Sequence, residues 1–255
     1  MPDAGQIIAF FLVLLRATAF LVAGPLYALS GIPVLLKVGF SLVLALVIFP
    51  VIAGGLPPLP GDVWGYGLAA VSETGAGLLL GLAVTMVLNI ARMAGRFIDF
   101  QIGYAMSSTL DPLSGGQGTL LSRYLYMLAL VFFLIVDGHH VMLTGFAGSF
   151  ALVPLGTAVF TGGAALTLLK IFCGAFTLAL QISAPILAVM VMVDLALGFL
   201  ARTTPQINVF LTGFPVKIMV GLLTLSFLMP LLGVVLRSLI DMVERDLYLL
   251  MRVLV

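Results

Sequence analysis

The sequence predicts an all-α membrane protein built from long, kinked helical hairpins. Of its 255 residues, 62% are hydrophobic and only 8% are charged, and the mean hydropathy is +1.29. In typical soluble domains, about a quarter of the residues are charged. Several apolar runs reach the roughly 20 residues that a helix needs to cross a hydrocarbon core. A net charge of +1, with no run of lysine and arginine, argues against nucleic acid as a partner.

The N-terminal region is expected to hold three helices, over residues 7–29, 38–52 and 63–105, separated by breaks rich in glycine and proline. Arg16 lies inside the first apolar run. A charge facing lipid would be costly there, so its side chain is expected to face protein or water. The third run has no proline over about 43 residues, roughly twice the thickness of a hydrocarbon core. We expect this helix to bend, break or extend beyond the bilayer.

The third helix carries both a small-residue face and a charged face. Gly77 and Gly81 have the Gly-x-x-x-Gly spacing that lets another helix approach closely. Arg92, Arg96 and Asp99 follow on one face at positions i, i+4 and i+7, where they could neutralise one another. A solvated stripe is the ordinary interpretation of such charges. Because they directly precede a polar loop, they indicate a helix that leaves lipid for a subunit interface or a lumen.

The segment 103–118 is the one stretch that is small, flexible and polar for more than a helical turn. Pro112 removes a backbone donor and pushes Asp111 toward extended geometry, and four glycines add backbone freedom. Between apolar helices, such a segment is tolerated at membrane depth only if protein encloses it or it lines a wet cavity. It is therefore a candidate gate, with an ordinary solvent loop between two spans as the alternative.

After a helix expected over 120–136, the sequence Asp137-Gly138-His139-His140 invites a metal or proton-relay interpretation. Adjacent residues on a helix point about 100° apart, so the two histidines do not form the i, i+4 pair that would hold one ion. We expect instead a hydrogen-bonded histidine packed at a helix bend beside Gly138. No metal and no cofactor are expected.

The C-terminal region is expected to be a hairpin of two long helices, over 166–200 and 207–251. Both contain internal prolines, which predict kinks. Asp194 and Lys217 lie toward the turn, so the hairpin would bring them together. The alternative is that each charge meets a partner subunit. The single cysteine, Cys173, is expected to be a small buried hydrophobe.

A series of short segments along the chain matches one known family. The segments are Phe97-Ile98-Asp99-Phe100-Gln101-Ile102-Gly103, Asp111-Pro112, Phe132-Phe133-Leu134, Gly138-His139-His140, Ser149-Phe150, Pro154-Leu155-Gly156, Pro205-Gln206-Ile207-Asn208-Val209-Phe210 and Gly213-Phe214-Pro215-Val216-Lys217. In order and spacing they resemble the FliR family of type III export proteins from bacterial flagella, which has relatives in injectisomes. Asp137 departs from the pattern, since asparagine is more often expected there.

The resemblance implies a FliP-like helical part over 1–160, which carries the loop of about 103–118, and a FliQ-like helical hairpin over 161–255. It implies that one copy assembles with several FliP-like and FliQ-like subunits into a helical, pore-forming complex, and that an FlhB-like subunit packs against it. The implied location is the bacterial inner membrane at the flagellar basal body, raised toward the periplasm. Unfolded export substrates would pass through the pore. No enzymatic activity and no cofactor are implied.

The family's counterpart of this loop resembles a plug that occludes the central channel until secretion begins. The plug residues implied here are Met106, Ser107, Ser108, Thr109, Leu110, Asp111, Pro112, Leu113, Ser114, Gly115, Gly116 and Gln117. The polar residues expected at subunit interfaces or in buried positions are Arg92, Arg96, Asp99, Asp194 and Lys217.

Two other function classes stand as alternatives to a channel subunit. A self-contained secondary transporter would use broken helices near 103–118 and the kink at Pro185, and it would need two comparable halves. An intramembrane enzyme would need Asp137, His139 and His140 to converge on a substrate. The sequence favours the channel subunit because it has no phosphate-binding Gly-Lys-Ser/Thr motif and no Gly-x-Ser-x-Gly elbow.

Overall fold

A computed structural model describes residues 4–25, 33–55, 57, 62–104, 119–204, 206 and 208–255, and every regular element in these ranges is helical. The α-helices are α1 (Ala4–Ala23), α2 (Val34–Ile52), α3 (Val63–Ile102), α4 (Leu120–Ile135), α5 (Gly138–Leu152), α6 (Gly162–Thr203) and α7 (Val209–Val253), with a 3₁₀ turn (Ala53–Gly55) after α2. The predicted all-α class is confirmed.

The helix ends follow the prolines and glycines of the sequence. α1 ends at Ala23, earlier than predicted, because Pro25 has no N–H and disfavours a helical residue before it. α2 begins directly after Pro33, whose ψ of 141° is extended. α3 is unbroken over 40 residues and is about 60 Å long, so the predicted excess over one bilayer thickness is confirmed.

The break between α4 and α5 lies at Asp137, the only non-glycine residue with a positive φ among the described residues (φ 57°). Aspartate and asparagine adopt this left-handed conformation more readily than other residues that carry a side chain. The left-handed backbone at this position therefore suits aspartate as well as the asparagine that is more often expected there. The bend expected beside Gly138 is confirmed. The expected hydrogen bonding is wrong for one atom, since Nδ1 of His139 is buried without a partner in the described ranges.

Two compact units divide the chain, and α3, α6 and α7 each contribute to both. One unit comprises Met1–Val87, Asp137–Phe172 and Ile240–Val255, and the other comprises Leu88–Val136 and Cys173–Leu239. These units group residues by packing. The division into 1–160 and 161–255 comes from family resemblance, and it stays a prediction.

The first unit is held together by a close crossing of α1 and α3. A Cβ added at Gly77 would lie 2.9 Å from the Cβ of Ala19, and one at Gly81 would lie 2.8 Å from the Cβ of Ala23. The hydroxyl of Thr85 donates to the carbonyl of Ala23 at 2.5 Å. The predicted role of the Gly-x-x-x-Gly pair is confirmed, because both glycines lie where any side chain would overlap α1.

We expect Gly81→Leu to destabilise the first unit strongly, because the added side chain would separate α1 from α3. Overpacking of this kind typically costs about 1–3 kcal/mol, and more where backbone is contacted. Gly67→Leu on the same helix is the matched control, since a Cβ at Gly67 meets no atom within 4 Å. Thermal aggregation of the two variants in mild detergent measures the difference. Equal melting would contradict the packing assigned to Gly81.

Five described helices are long and apolar enough to cross a membrane, or six if the broken pair α4 and α5 is taken as one span. Burial within the chain differs sharply among them. The most apolar window of α3 is 56% buried, whereas those of α6 and α7 are 11% and 17% buried. α6 and α7 therefore present most of their apolar surface outward, to lipid or to other subunits.

Cys173 is exposed on α6, contrary to the predicted burial.

Candidate functional site

The candidate gate lies between two helices whose ends the structure describes. Its implied plug residues Met106 to Gln117 lie outside the described residues. On one side, α3 ends at Ile102 and is followed by Gly103 and Tyr104. On the other side, Thr119 precedes α4. We call the end of α3 and the start of α4 the two stems. Their positions fix the two ends of the segment between them.

Asp99 links the C-terminal end of α3 to the N-terminal end of α4. Its side chain is fully buried, and its carboxylate accepts hydrogen bonds from the backbone N–H groups of Leu121 at 3.2 Å and Ser122 at 2.8 Å. The first N–H groups of a helix have no partner inside that helix. Thr119 at the N-cap makes no side-chain capping bond, so Asp99 supplies the cap from α3. A carboxylate also suits the positive end of the helix dipole.

Close packing supports this cap. The hydroxyl of Ser122 donates to the carbonyl of Arg92 at 3.0 Å. A Cβ at Gly95 would lie only 2.7 Å from the backbone nitrogen of Ser122, so α3 and α4 meet backbone to backbone. The guanidinium carbon of Arg92 lies 3.8 Å from the centroid of the Tyr126 ring, at cation–π distance.

The predicted neutralisation among Arg92, Arg96 and Asp99 is wrong. No ion pair joins Asp99 to either arginine in the part of the chain that the structure describes. The carboxylate is turned toward the buried N–H groups of α4, and Arg92 stacks on an aromatic ring instead. Arg96 is exposed. Spacing along one helix could not reveal these partners, because they belong to a second helix.

The first stem turns at a position that only glycine fits. Gly103 has a φ of 99°, and a Cβ there would lie 2.7 Å from the Phe214 ring. Just before it, Ile102 is fully buried, and its Cγ1 would lie 2.7 Å from a Cβ at Gly221. The end of α3 is therefore packed firmly against α7 at the point where the loop begins.

Asp194 of α6 and Lys217 of α7 form an ion pair, as the hairpin predicts. The amide nitrogen of Gln101 donates to the other oxygen of Asp194 at 3.2 Å. These contacts join α3, α6 and α7 near the first stem. Both charged side chains are partly exposed, and exposed pairs contribute little to stability.

A second polar cluster, Arg16 with Glu73, is fully buried in the first unit. The Nε of Arg16 donates to Oε2 of Glu73 at 2.5 Å, and its Nη2 donates to Oε1 at 2.9 Å. Arg16 also donates to the carbonyl of Val153 at 3.0 Å, and the N–H of Gly156 donates to Glu73 at 2.7 Å. The pair thereby holds the connector after α5. Arg16 faces protein, as predicted.

Glu73 was not predicted. It is the only charged residue of α3 before Arg92, and that isolation in an apolar stretch is the signal that could have marked it as a counterion for Arg16. In the described ranges, no three metal-ligating side chains converge. The polar clusters of both units bind backbone groups and link helices.

The chain matches a family model described as bacterial export proteins, family 1, over residues 7–243. It is 39% identical over 233 residues to the flagellar biosynthetic protein FliR of Bacillus subtilis, a match that covers 90% of this chain and 89% of the relative. The chain belongs to the FliR family. FliR proteins of Pectobacterium carotovorum and Escherichia coli are 30% and 29% identical, each over 88% of this chain and 85% of the relative.

Membership of the FliR family makes the chain a component of flagellar export. Its long apolar helices make it a membrane-embedded component. The names of its FliR relatives refer to flagellar biosynthesis and assign no reaction.

Proposed function

We propose that this chain is a non-enzymatic channel subunit of the flagellar type III export gate, and that its segment 106–117 is a plug that seals the pore. In this proposal it assembles with FliP-like and FliQ-like subunits, and an FlhB-like subunit packs against the assembly. The cargo is unfolded export substrate. The complex lies in the bacterial inner membrane at the basal body, raised toward the periplasm.

The observation that carries the proposal is the close packing of the two helix ends that flank the polar, glycine-rich segment in the sequence. Asp99 caps α4 from α3, and Gly103 is packed against Phe214. A plug must be held at a fixed place while its tip yields to a substrate. A base built from buried hydrogen bonds and close backbone contacts meets the first need, and the small polar composition of 106–117 meets the second.

The low burial of α6 and α7 supports assembly with other subunits. A polar segment at membrane depth would also need other subunits to enclose it, because lipid offers its backbone no partners. The proposed FliQ-like part, 161–255, draws support from these two helices, which are long, sequential and tied by Asp194 and Lys217. The proposed FliP-like part, 1–160, rests on family resemblance alone.

The transporter alternative finds less support. Its site would need discontinuous helices at matching positions in two comparable halves. Among the described helices, the break between α4 and α5 has no counterpart in α6 and α7, which are each continuous over more than 40 residues. Prolines inside α6 and α7 are compatible with both a transporter and a channel subunit.

Affinity purification in mild detergent tests the proposal. We expect the tagged chain to recover FliP-like and FliQ-like subunits in amounts that depend on its own expression level. Recovery of a solitary chain, or of a homodimer with transport activity in vesicles, would favour the transporter and contradict the channel assignment.

A further inference from the structure

Two exposed arginines flank the point where α3 and α4 cross. Gly95 of α3 meets Ser122 of α4 backbone to backbone, and Arg96 and Arg123 are the residues that follow them. Both arginines are exposed. Arg96 lies less than two turns before the end of α3, and Arg123 lies in the first turn of α4. The two charges therefore belong to the two stems.

The directions of the two helices place both arginines on one side of the crossing. The N–H of Ser122 bonds to Asp99, whereas Tyr126, one turn later in α4, contacts Arg92, which is earlier in α3. α3 and α4 therefore run antiparallel here. Each residue of an α-helix is turned by about 100° from the one before it. In antiparallel helices that face each other, the residue after each contact residue turns to the same side, so the two exposed arginines are neighbours.

No carboxylate of the described chain neutralises this pair. Neither Arg96 nor Arg123 makes an ion pair or a side-chain hydrogen bond within the described ranges. Asp99 is buried, and its oxygens accept N–H groups of α4. Arg92, stacked on Tyr126, adds a third positive charge to the same crossing. Because like charges repel and charges are costly in lipid, the exposed pair requires water or a negative partner.

We propose that Arg96 and Arg123 set the charge selectivity of the open pore, admitting small anions and repelling potassium ions and protons. The inference rests on the proposed function, in which the stems of the plug border a water-filled conduit. Arginine side chains in a narrow aqueous passage raise the electrostatic barrier to cations and protons. Such a filter limits cation leak while the plug is displaced. A carboxylate of a neighbouring subunit is the competing occupant, and it would cancel the filter.

The test uses the assembled export gate in liposomes with residues 107–117 deleted, so that ions can pass. The reversal potential under a potassium chloride gradient gives the ratio of chloride to potassium permeability. We expect a ratio of about threefold or more in favour of chloride at about 0.1 M salt. The ratio should approach one at about 1 M salt, where the Debye length falls from about 10 to about 3 Å.

Two substituted pairs in the same deletion background separate charge from structure. Arg96→Gln with Arg123→Gln should bring the ratio close to one at both salt concentrations. Arg96→Lys with Arg123→Lys keeps both charges and should keep the preference for chloride. Lys170→Gln with Arg252→Gln removes two exposed charges of the first unit and should leave the ratio unchanged.

Two results would overturn the inference. One is an unchanged ratio in the glutamine pair at equal recovery of all subunits. The other is a loss of subunit recovery in the glutamine pair that the lysine pair restores, since the charges would then meet a partner carboxylate. If the deletion itself admits no ions into fully assembled complexes, the plug assignment fails instead, and the two failures are thus distinguishable.

Discussion

Replacing Glu73 by alanine is expected to remove most of the chain from the membrane fraction. The change leaves the guanidinium of Arg16 fully buried without its carboxylate, and it takes the acceptor from the N–H of Gly156. Breaking a buried ion pair by removing one partner typically costs about 3–5 kcal/mol. That range is a large fraction of the stability of an ordinary domain. Membrane level and resistance to limited proteolysis measure the loss.

Two further variants make this prediction specific. The pair Arg16→Met with Glu73→Leu removes both charges together and should restore much of the stability, because no uncompensated charge remains buried. Glu244→Ala removes an exposed carboxylate of α7 and should leave the chain near wild-type level. A Glu73→Ala protein as stable as the Glu244→Ala protein would show that the buried pair does not hold the connector.

Asp99→Ala is expected to loosen the base of the loop. The variant leaves the N–H groups of Leu121 and Ser122 without acceptors in a buried place, and each such group costs about 1–3 kcal/mol. Each 1.4 kcal/mol of local stability corresponds to about a tenfold change in an opening equilibrium. Amide hydrogen exchange at these two positions should therefore accelerate by at least one order of magnitude.

Asp62→Ala provides a matched comparison at an exposed helix start. Asp62 accepts a hydrogen bond from the N–H of Gly65 at 3.2 Å, and water can replace it there. Its loss should change exchange only slightly. If Asp99→Ala leaves exchange at Leu121 and Ser122 as slow as in the unmodified chain, the carboxylate is not what fastens α4 to α3.

The helices could be predicted from the sequence because their signals are local. Prolines and glycines mark the ends, and apolar runs of spanning length mark the bodies. The close contact at Gly77 and Gly81 follows from spacing on a single helix, and the ion pair of Asp194 with Lys217 follows from the geometry of a hairpin. Each of these inferences needs only one helix or one turn.

The same local signals do not predict contacts between helices that are far apart in the sequence. Asp99 was assigned to neutralise arginines of its own helix, and in the structure it caps α4. Arg16 is expected from the sequence to face protein or water, and its partner Glu73, which lies 57 residues away, does not follow from that expectation. The buried Nδ1 of His139, which has no hydrogen-bond partner among the described residues, likewise does not follow from the sequence. Such pairings depend on which helices meet, and composition and periodicity do not contain that information.

Ion flux through the purified export gate in liposomes tests the sealing role of the loop most directly. The comparison is between the assembly with the unmodified chain and one that lacks residues 107–117, at equal recovery of all subunits. We predict a rise in flux of at least tenfold when the segment is removed, because a water-filled conduit loses its plug. A fully assembled complex that stays as tight without the segment would contradict the account.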